Sequence, residues 1–158
     1  MKKKTKSYHS KRYIGIDPGK SGGIAVIMED GSTKAYKCPH SIKDMALVFS
    51  IAMGNTAPAD TCVAIEKVWA HPGDARSRAF VFGTNYGQWQ GIIASHEIEF
   101  REIPPQTWMK YYNVPKLEKN KRKNWLKDKA KELFPEHKKI TLYNADALLI
   151  AHYISREN

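Results

Sequence analysis

Three acidic residues lie at the ends of predicted elements, at positions from which their carboxylates could come together in the fold. Asp17 ends a short apolar run and is followed by a Pro-Gly turn, and Glu66 ends a second apolar run. Asp146 falls in the first turn of a helix predicted near the C-terminus, where Asn144 is a good N-cap. Carboxylates in a cluster repel one another and need a counter-cation, and oxygen ligands of this kind suit Mg²⁺ or Mn²⁺.

Such a cluster indicates hydrolysis of a phosphodiester, because two ions held by acids can activate a water and stabilise the leaving oxygen. Each acid also has a structural explanation of its own. Asp17-Pro18-Gly19 is ordinary turn chemistry, and the helix dipole favours Asp146 without any function. Other chemistries fit less well, since the chain has no phosphate-binding glycine loop, no serine elbow and no zinc-type His/Cys spacing.

The hydrophobic pattern predicts an α/β chain with the order β-β-β-α-β-α-β-α-α and a five-stranded mixed sheet flanked by helices. The predicted strands cover 12–17, 24–29, 32–38, 61–67 and 96–103, and the predicted helices cover 41–53, 75–94, 119–134 and the segment from about 144 onwards. Residues 106–115 are expected to form a loop or a short helix. Because one helix joins 12–17 to 61–67, those strands can be parallel, which places Asp17 and Glu66 at the same end of the sheet.

The positive charge is concentrated in two segments. The chain has 158 residues and a net charge of +10; residues 1–12 contribute +6, residues 116–131 contribute eight Lys/Arg and two acids, and the remainder is therefore −2. Such clusters suggest a polyanion, most simply nucleic acid. We expect residues 1–11 to be a disordered basic tail and 12–158 to be one domain. No apolar run approaches the roughly 20 residues of a membrane span, and no export signal is evident.

Two further features leave alternatives open. Gly83, Gly87 and Gly91 recur every four residues in the long helix, where each costs about 1 kcal/mol. They predict a close approach of another backbone, either the chain's own sheet or a second copy across a dimer axis. Trp69 either packs in the core or stacks on an unpaired base.

Three motifs together resemble the RuvC-type Holliday junction resolvases, in particular their bacteriophage branch: IGIDPG (14–19), AIEKVW (64–69) and NADALLIA (144–151). The resemblance implies an RNase H-like fold, a homodimer and action in the cytoplasm of a bacterial host. It also implies symmetric nicking of four-way DNA junctions to 5′-phosphate and 3′-hydroxyl ends, with two Mg²⁺ ions per site and Mn²⁺ as a substitute.

The resemblance also assigns residues. It implies that Asp17, Glu66 and Asp146 bind metal and are catalytic, that the long helix with Gly83, Gly87 and Gly91 forms the dimer interface, and that Trp69 lies near the crossover. The residues predicted to bind DNA are Lys20, Trp69, Arg76, Arg78, Lys110, Lys116, Lys119, Lys121, Arg122 and Lys123.

The sequence departs from the family at a fourth metal ligand, which stands three residues before the last Asp. Tyr143 occupies that place, and His152 lies about 240° further around the helix and should not replace it. The alternatives are another RNase H-like nuclease acting on flaps, branched DNA or structured RNA, and a protein that binds branched DNA without cutting it. An actin-like ATPase would need two lobes, for which the chain is too short.

Overall fold

The computed structural model describes residues 11–157. Apart from Lys11, the basic tail predicted for residues 1–11 lies outside the described residues. Within that range the elements are β1 (Arg12–Asp17), β2 (Gly23–Met28), β3 (Thr33–Lys37), α1 (Ile42–Met53), a 3-10 turn (Pro58–Asp60), β4 (Thr61–Glu66), α2 (Arg76–Ser95), β5 (Phe100–Ile103), α3 (Pro105–Tyr111), α4 (Lys119–Leu133) and α5 (Ala145–Glu157).

The five strands form one mixed sheet in the order β3-β2-β1-β4-β5. β1 is antiparallel to β2, and β2 is antiparallel to β3, as the Asp30-Gly31 hairpin signal predicts. β1 and β4 are parallel, with Ile16 beside Ile65, and β4 is parallel to β5. The predicted α/β class and five-stranded mixed sheet are confirmed.

Two elements differ from the prediction near β5. The strand begins at Phe100 rather than 96, because α2 continues to Ser95 and Glu97 then takes a left-handed conformation with φ of 58°. The segment left open as a loop or short helix forms α3, which starts at Pro105. A proline fits the first turn of a helix, where its missing N–H needs no partner.

Helices cover both faces of the sheet. On one face, side chains such as Phe49 of α1 and Trp89 of α2 join the sheet residues in one buried cluster. On the other face, Trp108, Leu126 and Leu149 belong to a cluster that unites α3, α4 and α5. No helix among residues 11–157 is long and apolar enough to cross a membrane.

Helix α5 lies against β1 at a contact that only glycine permits. A Cβ atom on Gly15 would be 2.3 Å from the carbonyl oxygen of Ala147 and 2.5 Å from the backbone nitrogen of Ala151. Both distances are far below a van der Waals contact. The absence of a side chain at Gly15 therefore sets the distance between α5 and the sheet, and with it the height of Asp146 above the end of β1.

The glycine stripe of α2 does not pack against its own sheet. Apart from the adjacent residues and the backbone of the same helix turn, no atom of residues 11–157 lies within 4 Å of where a Cβ atom on Gly83, Gly87 or Gly91 would stand. The alternative that these glycines allow a close approach to the sheet is therefore excluded. The dimer interface stays a prediction.

We predict that Gly15→Ala destabilises the protein by about 1–3 kcal/mol, the usual effect of overpacking a tight interior contact. Ala59→Ser is the control, because it adds one heavy atom at an exposed position of the 3-10 turn. We expect the control to change stability by no more than about 0.5 kcal/mol, as surface substitutions usually do. Denaturant unfolding measures both, with oligomeric state determined alongside; equal effects of the two substitutions would contradict the prediction.

Candidate active site

The parallel pairing of β1 and β4 brings two of the predicted acids to one edge of the sheet. Asp17 is the last residue of β1 and Glu66 is the last residue of β4, and the residues before them are register partners. Asp17 is buried and Glu66 is half-buried. The carboxyl ends of parallel strands are the usual position of ligand sites in open α/β sheets.

Asp146 joins them from the first turn of α5 and is only 2% exposed. Its Oδ2 accepts a hydrogen bond from Nζ of Lys123 on α4, and the same Nζ lies 3.8 Å from Oδ2 of Asp17. The other oxygen, Oδ1 of Asp146, is buried and has no hydrogen-bond partner among residues 11–157. The three acids of the sequence analysis are thus brought together, with a lysine among them.

The pKa values reflect crowding of negative charge. Burial raises the pKa of Asp17 well above its usual value, and the carboxylates of Asp146 and Glu66 raise it further. Burial and the charge of Asp146 also raise the pKa of Glu66 to about 7, against an opposing hydrogen bond from Trp108. Burial alone would lower the pKa of Lys123, but Asp17 and Asp146 outweigh it and the pKa is raised. Such a site favours bound cations.

The carboxylates fit Mg²⁺ or Mn²⁺ in their chemistry. All three offer hard oxygen ligands, and the unpartnered Oδ1 of Asp146 is a buried acceptor ready for a cation. Within residues 11–157, however, no three acidic, histidine or cysteine side chains are already placed to share one metal ion. The ammonium of Lys123 takes up part of the space between Asp17 and Asp146.

Two supporting residues were missed by the sequence analysis. Nε1 of the fully buried Trp108 donates a hydrogen bond of 2.8 Å to Oε2 of Glu66. The backbone N–H of Gly19, in the turn after Asp17, donates to Oδ1 of Asn85 at 2.7 Å. An asparagine on the buried face of α2 is a weak signal in the sequence, because its partner lies 66 positions away along the chain.

Most of the residues predicted to bind DNA are exposed to solvent. The eight exposed members of the predicted set are Lys20, Trp69, Arg76, Arg78, Lys110, Lys116, Lys119 and Lys121. Arg122 and Lys123 are half-buried. Lys20 follows the Asp17 turn directly, and Lys123 is directed at the carboxylates rather than away from them.

An open groove of about 930 Å³ lies between α3 and the start of α4. Lys110, Lys116 and Arg122 line it together with apolar side chains that include Met109 and Val114. Arg122 is near enough to Glu66 to lower its pKa, so the groove adjoins the acidic site. Its lining of three basic side chains, one acidic side chain (Glu118) and several apolar ones suits a nucleic-acid strand.

Two aromatic residues near the site are not part of the core. Trp69 is 42% exposed and makes an edge contact with His71, with ring centroids 5.9 Å apart. Core packing of Trp69 is therefore excluded, and its stacking on a base stays a prediction. Tyr143 is also exposed, and Nζ of Lys37 lies 4.2 Å from the centre of its ring.

We predict that Trp108→Phe lowers metal affinity or cleavage activity about 10–100-fold, the usual effect of removing a hydrogen bond to a metal-ligating residue. The substitution removes the only polar atom of Trp108 and leaves Glu66 without that donor. Trp125→Phe is the matched control, since Trp125 packs against the same cluster and is half-buried. Metal titration and cleavage rates are compared at equal folded fractions, and similar losses in both variants would contradict the role given to Trp108.

The chain was compared with known proteins to identify its fold. No family model matches the chain, and no curated protein matches it. Solved structures do: the structure described as T. thermophilus RuvC in complex with Holliday junction substrate superposes with a TM-score of 0.61 at 14% identity, covering 94% of this chain and 96% of that one. A second Thermus thermophilus RuvC structure has a TM-score of 0.54 at 15% identity, covering 92% and 96%. The chain therefore has the RuvC-like, RNase H-like α/β fold.

Proposed function

We propose that this protein is a metal-dependent endonuclease that resolves four-way DNA junctions. The observation that carries the proposal is the convergence of Asp17, Glu66 and Asp146 at one sheet edge, beside a groove lined by Lys110, Lys116 and Arg122. The fold shared with RuvC, one structure of which contains a Holliday junction substrate, agrees with this assignment. The motifs favour the bacteriophage branch of those resolvases.

Asp17, Glu66 and Asp146 are the residues that would hold Mg²⁺, with Mn²⁺ as a substitute. When bound, the metal supplies Lewis-acid activation of a water and stabilises the charge of the phosphodiester. Burial keeps these carboxylates away from bulk water. Trp108 holds the carboxylate of Glu66 by a hydrogen bond, and Asn85 holds the turn that follows Asp17. The expected products are a 5′-phosphate and a 3′-hydroxyl.

The chain's basic residues bind and orient the DNA. Lys20, beside the Asp17 turn, and Lys110, Lys116 and Arg122, along the groove, are placed to contact backbone phosphates. Each such contact releases a counterion, so affinity should fall steeply with salt. The exposed Trp69 is available to stack on an unpaired base at the junction centre, which is worth about 1–3 kcal/mol in single-strand binders.

The proposal includes a homodimer, because symmetric nicking of a four-way junction requires one active site for each of the two cut DNA strands. The glycine stripe of α2 borders a groove of about 600 Å³ that includes Gly87, Gly91, Ile42 and Ala46. On the same helix, Phe80 is 75% exposed. An apolar surface of this kind, with glycines that admit another backbone, suits a second copy of the chain.

We expect Asp17→Asn to abolish cleavage of a four-way junction in Mg²⁺ while junction binding survives. The amide keeps the shape of the side chain but removes one of the charges that would hold the metal. Gel-shift and cleavage assays on the same labelled junction measure the two properties. Asp128→Asn is the matched control, because Asp128 is exposed on α4; cleavage by Asp17→Asn at the wild-type rate would refute the proposed function.

The substrate class is tested by comparing a mobile four-way junction with flap, duplex and structured RNA substrates. The proposal requires paired, symmetric nicks in the junction and a clear preference for it. Preference for flaps or RNA would identify another RNase H-like nuclease. Tight junction binding without cleavage at any Mg²⁺ or Mn²⁺ concentration would identify a binding protein.

Gly87→Arg should convert the dimer to a folded monomer, because the long charged side chain would occupy the space of the partner helix. Sedimentation or light scattering measures the mass, and circular dichroism checks the fold. Asn55→Arg adds the same side chain to an exposed loop and should remain dimeric. A wild-type protein that is monomeric at micromolar concentration and on junction DNA would contradict the dimer.

A further inference from the structure

An exposed patch lies at the same end of the sheet as the acids, on the side of β2 and β3. Gly23, the first residue of β2, pairs with Asp17 of β1 on one side and with Lys37 of β3 on the other. Neighbouring strands are about 4.8 Å apart, so the backbone of Lys37 lies about 10 Å from that of Asp17 along this edge. The patch therefore adjoins the acidic site on the side opposite to β4 and Glu66.

Tyr143 is the aromatic member of this patch and is held next to Gly23. A Cβ atom on Gly23 would be 2.5 Å from the carbonyl oxygen of Tyr143, so the loop before α5 lies directly on the strand. The N–H of Tyr143 donates to Oγ1 of Thr141 at 3.2 Å, and Oδ1 of the buried Asn144 accepts from the N–H of Thr141 at 2.8 Å. The tyrosine is thus carried by a hydrogen-bonded loop, three residues before Asp146.

The side chain of Tyr143 faces solvent although its backbone is packed. Tyr143 is 42% exposed, as is its neighbour Leu142. Nζ of Lys37 lies 4.2 Å from the centre of the tyrosine ring, within cation–π distance. The pair offers a flat apolar surface beside a positive charge, which is the combination that binds a base and a phosphate of a single nucleic-acid strand.

The chain segments that meet at this patch are basic. Residues 18–23, 36–40 and 138–144 carry four lysines and no acidic residue. The four lysines, all exposed, are Lys20, Lys37, Lys138 and Lys139. The segments are joined by a hydrogen bond from the N–H of Cys38 to the carbonyl oxygen of Gly22, and by the approach of Tyr143 to Gly23. The phosphates of a DNA strand complement this charge.

We propose that Tyr143 and Lys37 form a second DNA-contacting site, which binds the strand on the other side of the acids from the groove between α3 and α4. This inference rests on the proposed function, because it requires a DNA strand that lies over the acids. A base stacks on the ring of Tyr143, and Lys37 binds the adjoining phosphate. The strand is then held on both sides of Asp17, which fixes the phosphate placed at the acids.

Junction binding by the full-length protein without divalent ions, over a series of salt concentrations, tests the inference. Tyr143→Leu should weaken binding about 5–100-fold, the usual effect of removing an aromatic stacking partner, without changing the salt slope. Tyr143→Phe keeps the ring and should bind like the wild type. Lys37→Gln should reduce the salt slope by about 1. Lys34→Gln is the matched control, because Lys34 is exposed on the same strand farther from the acids.

Photo-crosslinking tests the contact directly. Junctions that carry 5-iododeoxyuridine at successive positions around the centre should crosslink to Tyr143 at a few neighbouring positions of one strand, and mass spectrometry identifies the crosslinked residue. Wild-type affinity of a folded Tyr143→Leu, or an unchanged salt slope in Lys37→Gln, would overturn the inference. If Tyr143→Leu does not fold, the crosslink decides, and its absence at every position would overturn the inference.

The proposed function and this second site fail in different ways. A wild type that binds junctions, loses affinity on Tyr143→Leu and cuts no DNA in Mg²⁺ or Mn²⁺ rejects the nuclease and keeps the site. A wild type that resolves junctions, while Tyr143→Leu and Lys37→Gln bind as it does, rejects the site alone. A wild type that binds no junction rejects both.

Discussion

The close contact of β1 with α5 is the constraint on which the rest of the site depends. Gly15 has no side chain, so the backbone of α5 at Ala147 and Ala151 can approach the strand directly. The acid of the last helix is thereby placed above the end of the first strand. A larger residue at this one position would separate Asp146 from Asp17 although neither had been changed.

The electrostatics of the site follow from that contact. Three carboxylates are forced together in a largely buried place, and burial combined with their mutual repulsion raises the pKa values of Asp17 and Glu66. Lys123 of the basic helix α4 forms an ion pair with this negative charge. Further basic residues line the groove beside it. One basic segment thus serves both the interior of the site and the surface where a DNA strand can lie.

The sequence allowed the acids to be found, because each depends on a local signal. Asp17 and Glu66 follow short apolar strands, and Asp146 follows a helix cap; the parallel pairing then follows from a single intervening helix. The hairpin and the long glycine-bearing helix are equally local. Trp108 and Asn85 could not be found in this way, because each is recognised only by a hydrogen bond to a residue far away in the chain.

The sequence by itself therefore determined the α/β order, the mixed sheet and the three candidate acids. Tertiary structure alone decided which basic residue meets the acids. In the sequence Lys123 is one of eight Lys/Arg in a segment of 16 residues, and nothing local separates it from Lys121. Its position depends on how far α4 is rotated, which is fixed by burial of Leu126 and Ala130 against distant elements. Side-chain direction on a helix becomes definite only when the helix is packed.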